Sequence, residues 1–355
     1  MILDPAVRKP AEHAAKAPSL TSSTPSPTKE RAWGTLAGCA LGDAMGMPTE
    51  FLSRKDMARL WPDGVDDLYP SSALDVFGRK MAAGEVTDDT LNTLFVVQML
   101  DECGGRCDAM RLIELLVSWT EAHPEKAGFV VGPSTTKALA AIRSGSPIER
   151  AGIFGTTNGA AMKVSPIGVA YDYRHMEELV DAVEELARPT HNTGVAIACA
   201  AAVAAAVSYG ARGGSDLDEL WEIALDAARE GETRGYALPT ARMSERLSEV
   251  HERVASESMP ESLRLLRELY GCGVESIETG PAAVAIASLS EGDPWRAACM
   301  AAGIGGDTDT LGAIACAICG AMHPEKLPVD KIALIEQVNN LCLRDAAEKL
   351  AALAR

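Results

Sequence analysis

Four glycines at 34, 38, 42 and 46 recur every four residues in Gly34–Glu50. On a helix that spacing places all four on one face. A face without side chains lets another helix approach to backbone contact. Close packing against another helix is the plain reading of these glycines. The same stretch holds two carboxylates the stripe does not explain, Asp43 and Glu50, the latter just past the helix-breaking Pro48.

The rest of the chain reads in the same direction. It has 355 residues, enough for one large domain or two ordinary ones. Only 5% of residues are aromatic. Alanine, the best helix former, is abundant. Helical spacing of apolar residues predicts helices over Leu91–Leu100, Met110–Glu121, His175–Ala187, Asp216–Arg229, Ser244–Ala255, Glu261–Tyr270, Gly280–Ser288, Thr310–Met322 and Val329–Leu353. Thr193–Tyr209 is apolar almost all round, as a central buried helix is. Strand patterns are scarce. The fold class expected is all-α.

Residues 1–30, rich in Ala, Ser, Thr and Pro, are expected to be a disordered tail. Residues 31–355 are expected to be one compact domain. The tail has no apolar core of a signal peptide, and the apolar run Gly194–Ser208 is short for a bilayer. A cytoplasmic protein with no membrane partner is the expectation. Nine scattered cysteines suggest no disulfide framework, and Cys316 and Cys319 read as small buried helix residues. The net charge of −17 argues against binding nucleic-acid backbone. Oligomeric state is open.

Two acidic clusters precede apolar helices. They are Thr87-Asp88-Asp89-Thr90 and Gly305-Gly306-Asp307-Thr308-Asp309-Thr310. One Asp or Thr is enough to cap a helix, so four Asp and several Thr exceed that need. If the two helices pack together, hard oxygen ligands meet there and suit Mg²⁺, Mn²⁺ or Ca²⁺. The clusters lie more than 200 residues apart, so their meeting is an inference. Glu50 taken alone is either a general acid or base or a solvated surface acid. The small-residue loop Gly155–Gly168, with Asn158 and Lys163, offers backbone N–H groups to an anion such as a diphosphate.

Together and in this order, these stretches resemble the ADP-ribosylglycohydrolase family. The matching elements are GxxxGxALGDAxGxPxE at 34–50, TDDT at 87–90, NGAAMKxxPxG at 158–168 and GGDTDTxGAI at 305–314. The resemblance implies an all-α fold around a cleft with two divalent cations, Mg²⁺ or Mn²⁺. By position it implies Thr87, Asp88, Asp89, Asp307, Asp309 and Thr310 as metal ligands. It implies Glu50, Asp89 or Asp309 as the group assisting proton transfer. Asn158, Gly159, Ala160, Ala161 and Met162 match the loop that holds the diphosphate, and His191 matches a Thr/Ser-His pair near the substrate. Asp43 reads as support behind the ligands or as buried helix structure. The implied activity is hydrolysis of the N- or O-glycosidic bond at ribose C1″ of an ADP-ribosylated protein or small molecule. A nucleoside or ribosyl hydrolase, or a non-catalytic ADP-ribose-binding relative, are the alternatives. The segments Trp61–Glu85 and Gly231–Gly280 are expected to form cleft walls. Gly132–Thr136, with Gly155–Met162, suits a subgroup whose substrates are less certain.

Overall fold

The computed structural model describes residues 26–123 and 133–355. Its helices run α1 Lys29–Gly46, α2 Arg54–Leu60, α3 Asp88–Glu102, α4 Ala109–Ala122, α5 Pro133–Arg143, α6 Ile148–Ala151, α7 Ser165–Ala170, α8 Met176–His191 and α9 Gly194–Ala211. They continue with α10 Leu217–Gly231, α11 Met243–Ser256, α12 Met259–Leu265, α13 Ser276–Leu289, α14 Pro294–Ile304, α15 Thr308–Met322, α16 Val329–Asn339 and α17 Leu343–Ala352. Among the described residues there is no strand, only two isolated bridges, Thr157 with Glu275 and Thr193 with Tyr236. The all-α expectation holds.

α1 and α15 form the antiparallel pair on which the rest is built. A Cβ added to Gly34, Gly38, Gly42 or Gly46 would stand 2.1, 2.0, 1.9 and 2.2 Å from the carbonyl oxygens of Gly320, Cys316, Gly312 and Thr308. Those distances are far inside van der Waals contact, so the glycines are sterically required. Each step of four residues up α1 meets a step of four down α15. The C-terminal end of α1, which leads to Glu50, therefore lies against the N-terminal end of α15, which begins with Asp307–Thr310.

α9 packs across the centre and is buried along almost its whole length. At 18 residues it is long and apolar enough to cross a membrane by composition, longer than the run read from sequence, but 94% of it is buried inside the fold. Cys316 and Cys319 are fully buried and unpaired on α15, as read.

Boundaries differ in instructive places. α1 begins at Lys29, two residues inside the expected tail, because the Thr28 side chain accepts from Arg31 N and caps it. Residues 1–25 lie outside the described residues, as does Gly132 of the Gly132–Thr136 pattern. The single helix expected over Val329–Leu353 is two helices. Asn340 takes a left-handed conformation (φ 53°) and ends the first of them. The expected loop Gly155–Gly168 contains a short 3₁₀ turn over Asn158–Lys163 and the start of α7.

Candidate metal centre

Three chain segments deliver carboxylates to one end of the α1–α15 pair. The 3₁₀ turn Met47–Thr49 carries the chain from α1 to Glu50. Here the Thr308 hydroxyl donates to Gly46 O at 2.8 Å and lies 3.0 Å from the Thr49 hydroxyl. Glu50 is buried, which excludes the solvated-acid alternative.

The second segment is Thr87–Thr90 at the start of α3. Asp43, fully buried on α1, anchors it by accepting from Thr87 N at 3.0 Å, from Thr90 N at 3.0 Å and from the Thr90 hydroxyl. The Thr87 side chain caps α3 through Asp89 N, the role capping rules assign it. The third segment is Gly305–Thr310. Gly305 and Gly306 both take positive φ, 91° and 88°. A Cβ on Gly306 would meet Cys272 O at 2.0 Å. Asp307 sits at the cap position of α15 but makes no side-chain capping bond. Its carboxylate instead accepts from Asn158 Nδ2 at 2.5 Å.

These segments converge. Asp43, Asp89 and Asp309 each bring a carboxylate oxygen within 4.8 Å of the others, and so do Glu50, Asp307 and Asp309. Asp309 belongs to both triads. Asp88 belongs to neither, although it stands close enough to be affected by Asp309 and Asp43. Thr87 and Thr310 are buried in the same region.

So many buried acids repel one another. Burial, then Asp309, pushes Asp43 up to about 6 and Asp88 to about 7. The same two causes drive Glu50 to about 10 against the pull of Arg79. Asp89 and Asp307 are also raised well above ordinary carboxylate values, by burial first and Asp309 second. Arg79 pairs with Glu50 at 2.7 Å and with Asp75 at 2.8 Å. Lys163 is buried, which pulls its amine down to about 8 while Asp88 and Asp89 oppose the shift.

The residues fit divalent cations on their own chemistry. Asp89 Oδ1 is buried with no hydrogen-bond partner, a costly state for a carboxylate oxygen unless a cation satisfies it. Both triads offer only carboxylate oxygen, the donor set of Mg²⁺, Mn²⁺ or Ca²⁺.

The small-residue loop lies beside this cluster. Asn158 donates to Asp307 and also to the Thr279 hydroxyl at 2.9 Å. Its own N–H donates to Val274 O at 2.8 Å. Ala160 and Ala161 point into the core, while Gly159 and Met162 are half-buried. His191 ends α8 behind the loop. A Cβ on Gly159 would come within 2.7 Å of the imidazole. Both ring nitrogens are engaged, Nδ1 with the Thr190 hydroxyl at 2.7 Å and Nε2 with the Thr157 hydroxyl at 2.9 Å.

Sequence reading passed over Asp75, Arg79 and Thr279, which hold the expected residues in place. Asp43 was singled out because the glycine stripe does not account for it. Arg79 and Asp75 carry no signal, since Trp61–Glu85 has no period from which to infer neighbours.

The site and fold together define a class, an all-helical protein with a buried, all-carboxylate centre suited to divalent cations. A family model for ADP-ribosylglycohydrolase matches residues 24–355, and the chain belongs to that family. It is similar to Uncharacterized protein YegU of Escherichia coli (strain K12), 36% identical over 297 residues, covering 83% of this chain and 88% of that one. It is also similar to ADP-ribosylarginine hydrolase Tri1 of Pseudomonas putida (strain GB-1). That match is 29% identical over 232 residues, 62% of this chain and 58% of the relative. Among solved structures, an ADP-ribosylglycohydrolase-related protein complex matches with a TM-score of 0.68 at 21% identity, over 92% of this chain and 99% of that chain.

Proposed function

We propose that the protein is a metal-dependent hydrolase that cleaves the glycosidic bond at ribose C1″ of an ADP-ribosylated molecule. The observation that carries this reading is the pair of carboxylate triads sharing Asp309, with Asp89 Oδ1 left unpartnered beside the Asn158 loop. Thr87, Asp88, Asp89, Asp307, Asp309 and Thr310 would hold two cations, Mg²⁺ or Mn²⁺. When bound, the cations balance the carboxylate charge and act as Lewis acids toward the ribose hydroxyls and a water.

In the reaction, water adds to C1″ and gives up a proton to a carboxylate of the centre, the bond from C1″ to the leaving nitrogen or oxygen breaks, and the leaving atom takes up a proton. The transition state is oxocarbenium-like, and surrounding carboxylates stabilise its positive charge. Glu50 suits the proton donor. It is buried at the centre, and Arg79 fixes its orientation. Asp89 and Asp309 position the water. Asn158 orients Asp307, and the Gly159–Met162 backbone holds the diphosphate. His191 supports that loop from behind.

The test is a hydrolysis panel of ADP-ribosylarginine, ADP-ribosylserine peptide and free nucleosides, with and without Mg²⁺ or Mn²⁺, products read by mass. Metal-dependent release of ADP-ribose is the expected result. Binding of ADP-ribose without turnover of any substrate overturns the hydrolase reading.

A further inference from the structure

Two exposed phenylalanines flank Glu50. Phe51 follows it in the chain and Phe77 comes from the irregular segment ahead of α3. Phe51 is 38% exposed and Phe77 52%. Their ring centroids lie 6.0 Å apart, edge to face at 65°. Phe51 also has a φ of 53°, a left-handed conformation that is costly for a bulky side chain. Its N–H is tied to Gly306 O at 2.8 Å, on the loop that leads into Asp307. A glycine there would satisfy the same bond without strain. The ring adds little to the core, so the strain is not explained by packing.

We propose that Phe51 and Phe77 form the platform for the leaving group, and that this group is a neutral planar heteroaromatic base linked through nitrogen to ribose C1. This deepens the hydrolase reading and rests on it. Place supports it, because the leaving group departs beside the group that protonates it, and Phe51 adjoins Glu50. Shape supports it, because exposed aromatic rings stack planar bases of any sequence. The occupancy of the Phe77 ring supports it as well. The Arg79 guanidinium already lies 4.8 Å from the Phe77 ring centre, with Glu50 and Asp75 as its counterions. That guanidinium already covers part of the Phe77 ring, so a second one, as in an arginine leaving group, has less of the ring to stack on, and a serine leaving group offers no flat face.

The test compares kcat and KM of the full chain, with Mg²⁺, on an N-linked ADP-ribosylated pyrimidine base, a purine nucleoside, ADP-ribosylarginine and ADP-ribosylserine peptide. The variants are Phe51→Gly and Phe77→Ala. Phe51→Gly keeps the fold, since glycine takes this φ freely, and its Tm should stay within about 2 °C of wild type. Both variants should raise KM for the base-linked substrates at least fivefold with kcat changed less than twofold. The loss on the serine peptide should be at least fivefold smaller, and Phe51→Trp should restore KM. The two base-linked probes distinguish an ADP-ribosylated base from a free nucleoside as the source. An equal loss on all ADP-ribosyl substrates, as expected if the rings hold adenine, overturns the platform and leaves the hydrolase reading intact. No metal-dependent ribosyl release by wild type from any substrate overturns both.

Discussion

Between α1 and α15 the two backbones touch, and each glycine of the stripe lies opposite a carbonyl with no room for a methyl group. Between Trp61 and Val86 the chain has no helix, and side chains hold it to the same centre. Arg79 bonds to Asp75, to Glu50 and to Met47 O. Lys331 on α16 pairs with Asp67, and Asn339 with Gly84 O. The seam fixes where Asp43, Glu50, Asp307 and Asp309 stand relative to one another. The wall fixes how Glu50 is presented and what meets it from outside. A tightly packed seam tolerates no change in volume, whereas a wall held by ion pairs can vary without loss of fold.

The sharpest way to break this contrast is a single methyl group in the seam. Gly42→Ala places a Cβ 1.9 Å from Gly312 O, and backbone lies on both sides, so neither helix can yield locally. Overpacking of this kind costs about 3 kcal/mol or more, enough to lower Tm by roughly 6 °C or prevent folding. Gly303→Ala on α14 is the control. Nothing lies within 4 Å of its added Cβ, so replacing a helical glycine should stabilise by about 0.5–1 kcal/mol. Thermal melts of both variants decide the matter. Equal effects would mean the stripe is not a required contact.

Asp309→Ala probes the point the two regions share. It removes the carboxylate common to both triads and should lower kcat by about 10²–10⁴-fold while weakening Mn²⁺ binding in calorimetry. It also removes the charge that raises Asp43, Asp88 and Glu50. The metal-free variant should therefore melt higher than metal-free wild type. Full retained activity would remove Asp309 from the centre.

Arg79→Met tests the wall. It strands two buried carboxylates, so some stability is lost, but the seam is untouched. Burial works to raise Asp75, and the Arg79 hydrogen bonds outweigh it, so the carboxyl is held below its ordinary value. The expected result is a loss of about tenfold or more in kcat/KM with a cooperative melt preserved, and partial recovery in Arg79→Lys. An unchanged rate would show that Glu50 needs no orienting partner.

The same contrast explains what the sequence disclosed. A stripe at a spacing of four is visible because helix geometry turns spacing into neighbourhood, so the close pair is legible before its partner is known. TDDT and GGDTDT are visible because they hold more acid than a cap requires. Asp307 confirms that surplus by capping nothing and bonding to Asn158. The contacts of Arg79 and the strained backbone of Phe51 depend on an aperiodic path, and no residue pattern records such a path. The break at Asn340 was hidden for a related reason. Asn tolerates the left-handed conformation without announcing it as glycine would.

The smallest effect concerns the loop support behind the centre. Burial, and then the charge of Lys163, lowers His191 from its ordinary 6.5 to about 3. The folded protein keeps this imidazole neutral where the unfolded chain would protonate it. Its contribution to stability is therefore complete above about pH 6.5 and is lost as pH falls from there toward 3, by at most about 1.4 kcal/mol per pH unit. Asp43 and Asp88 act in the opposite sense, because their raised values make the folded state the better proton acceptor between about pH 4 and 7. Wild type alone would show the two effects cancelling in part. Denaturant unfolding of wild type and His191→Gln at pH 7.5 and pH 5.0, both with Mg²⁺, isolates the histidine. Wild type should lose up to about 2 kcal/mol more than the variant on acidification. Equal losses would mean that His191 takes up a proton in the folded state. It would then carry charge next to the loop instead of serving as its neutral support.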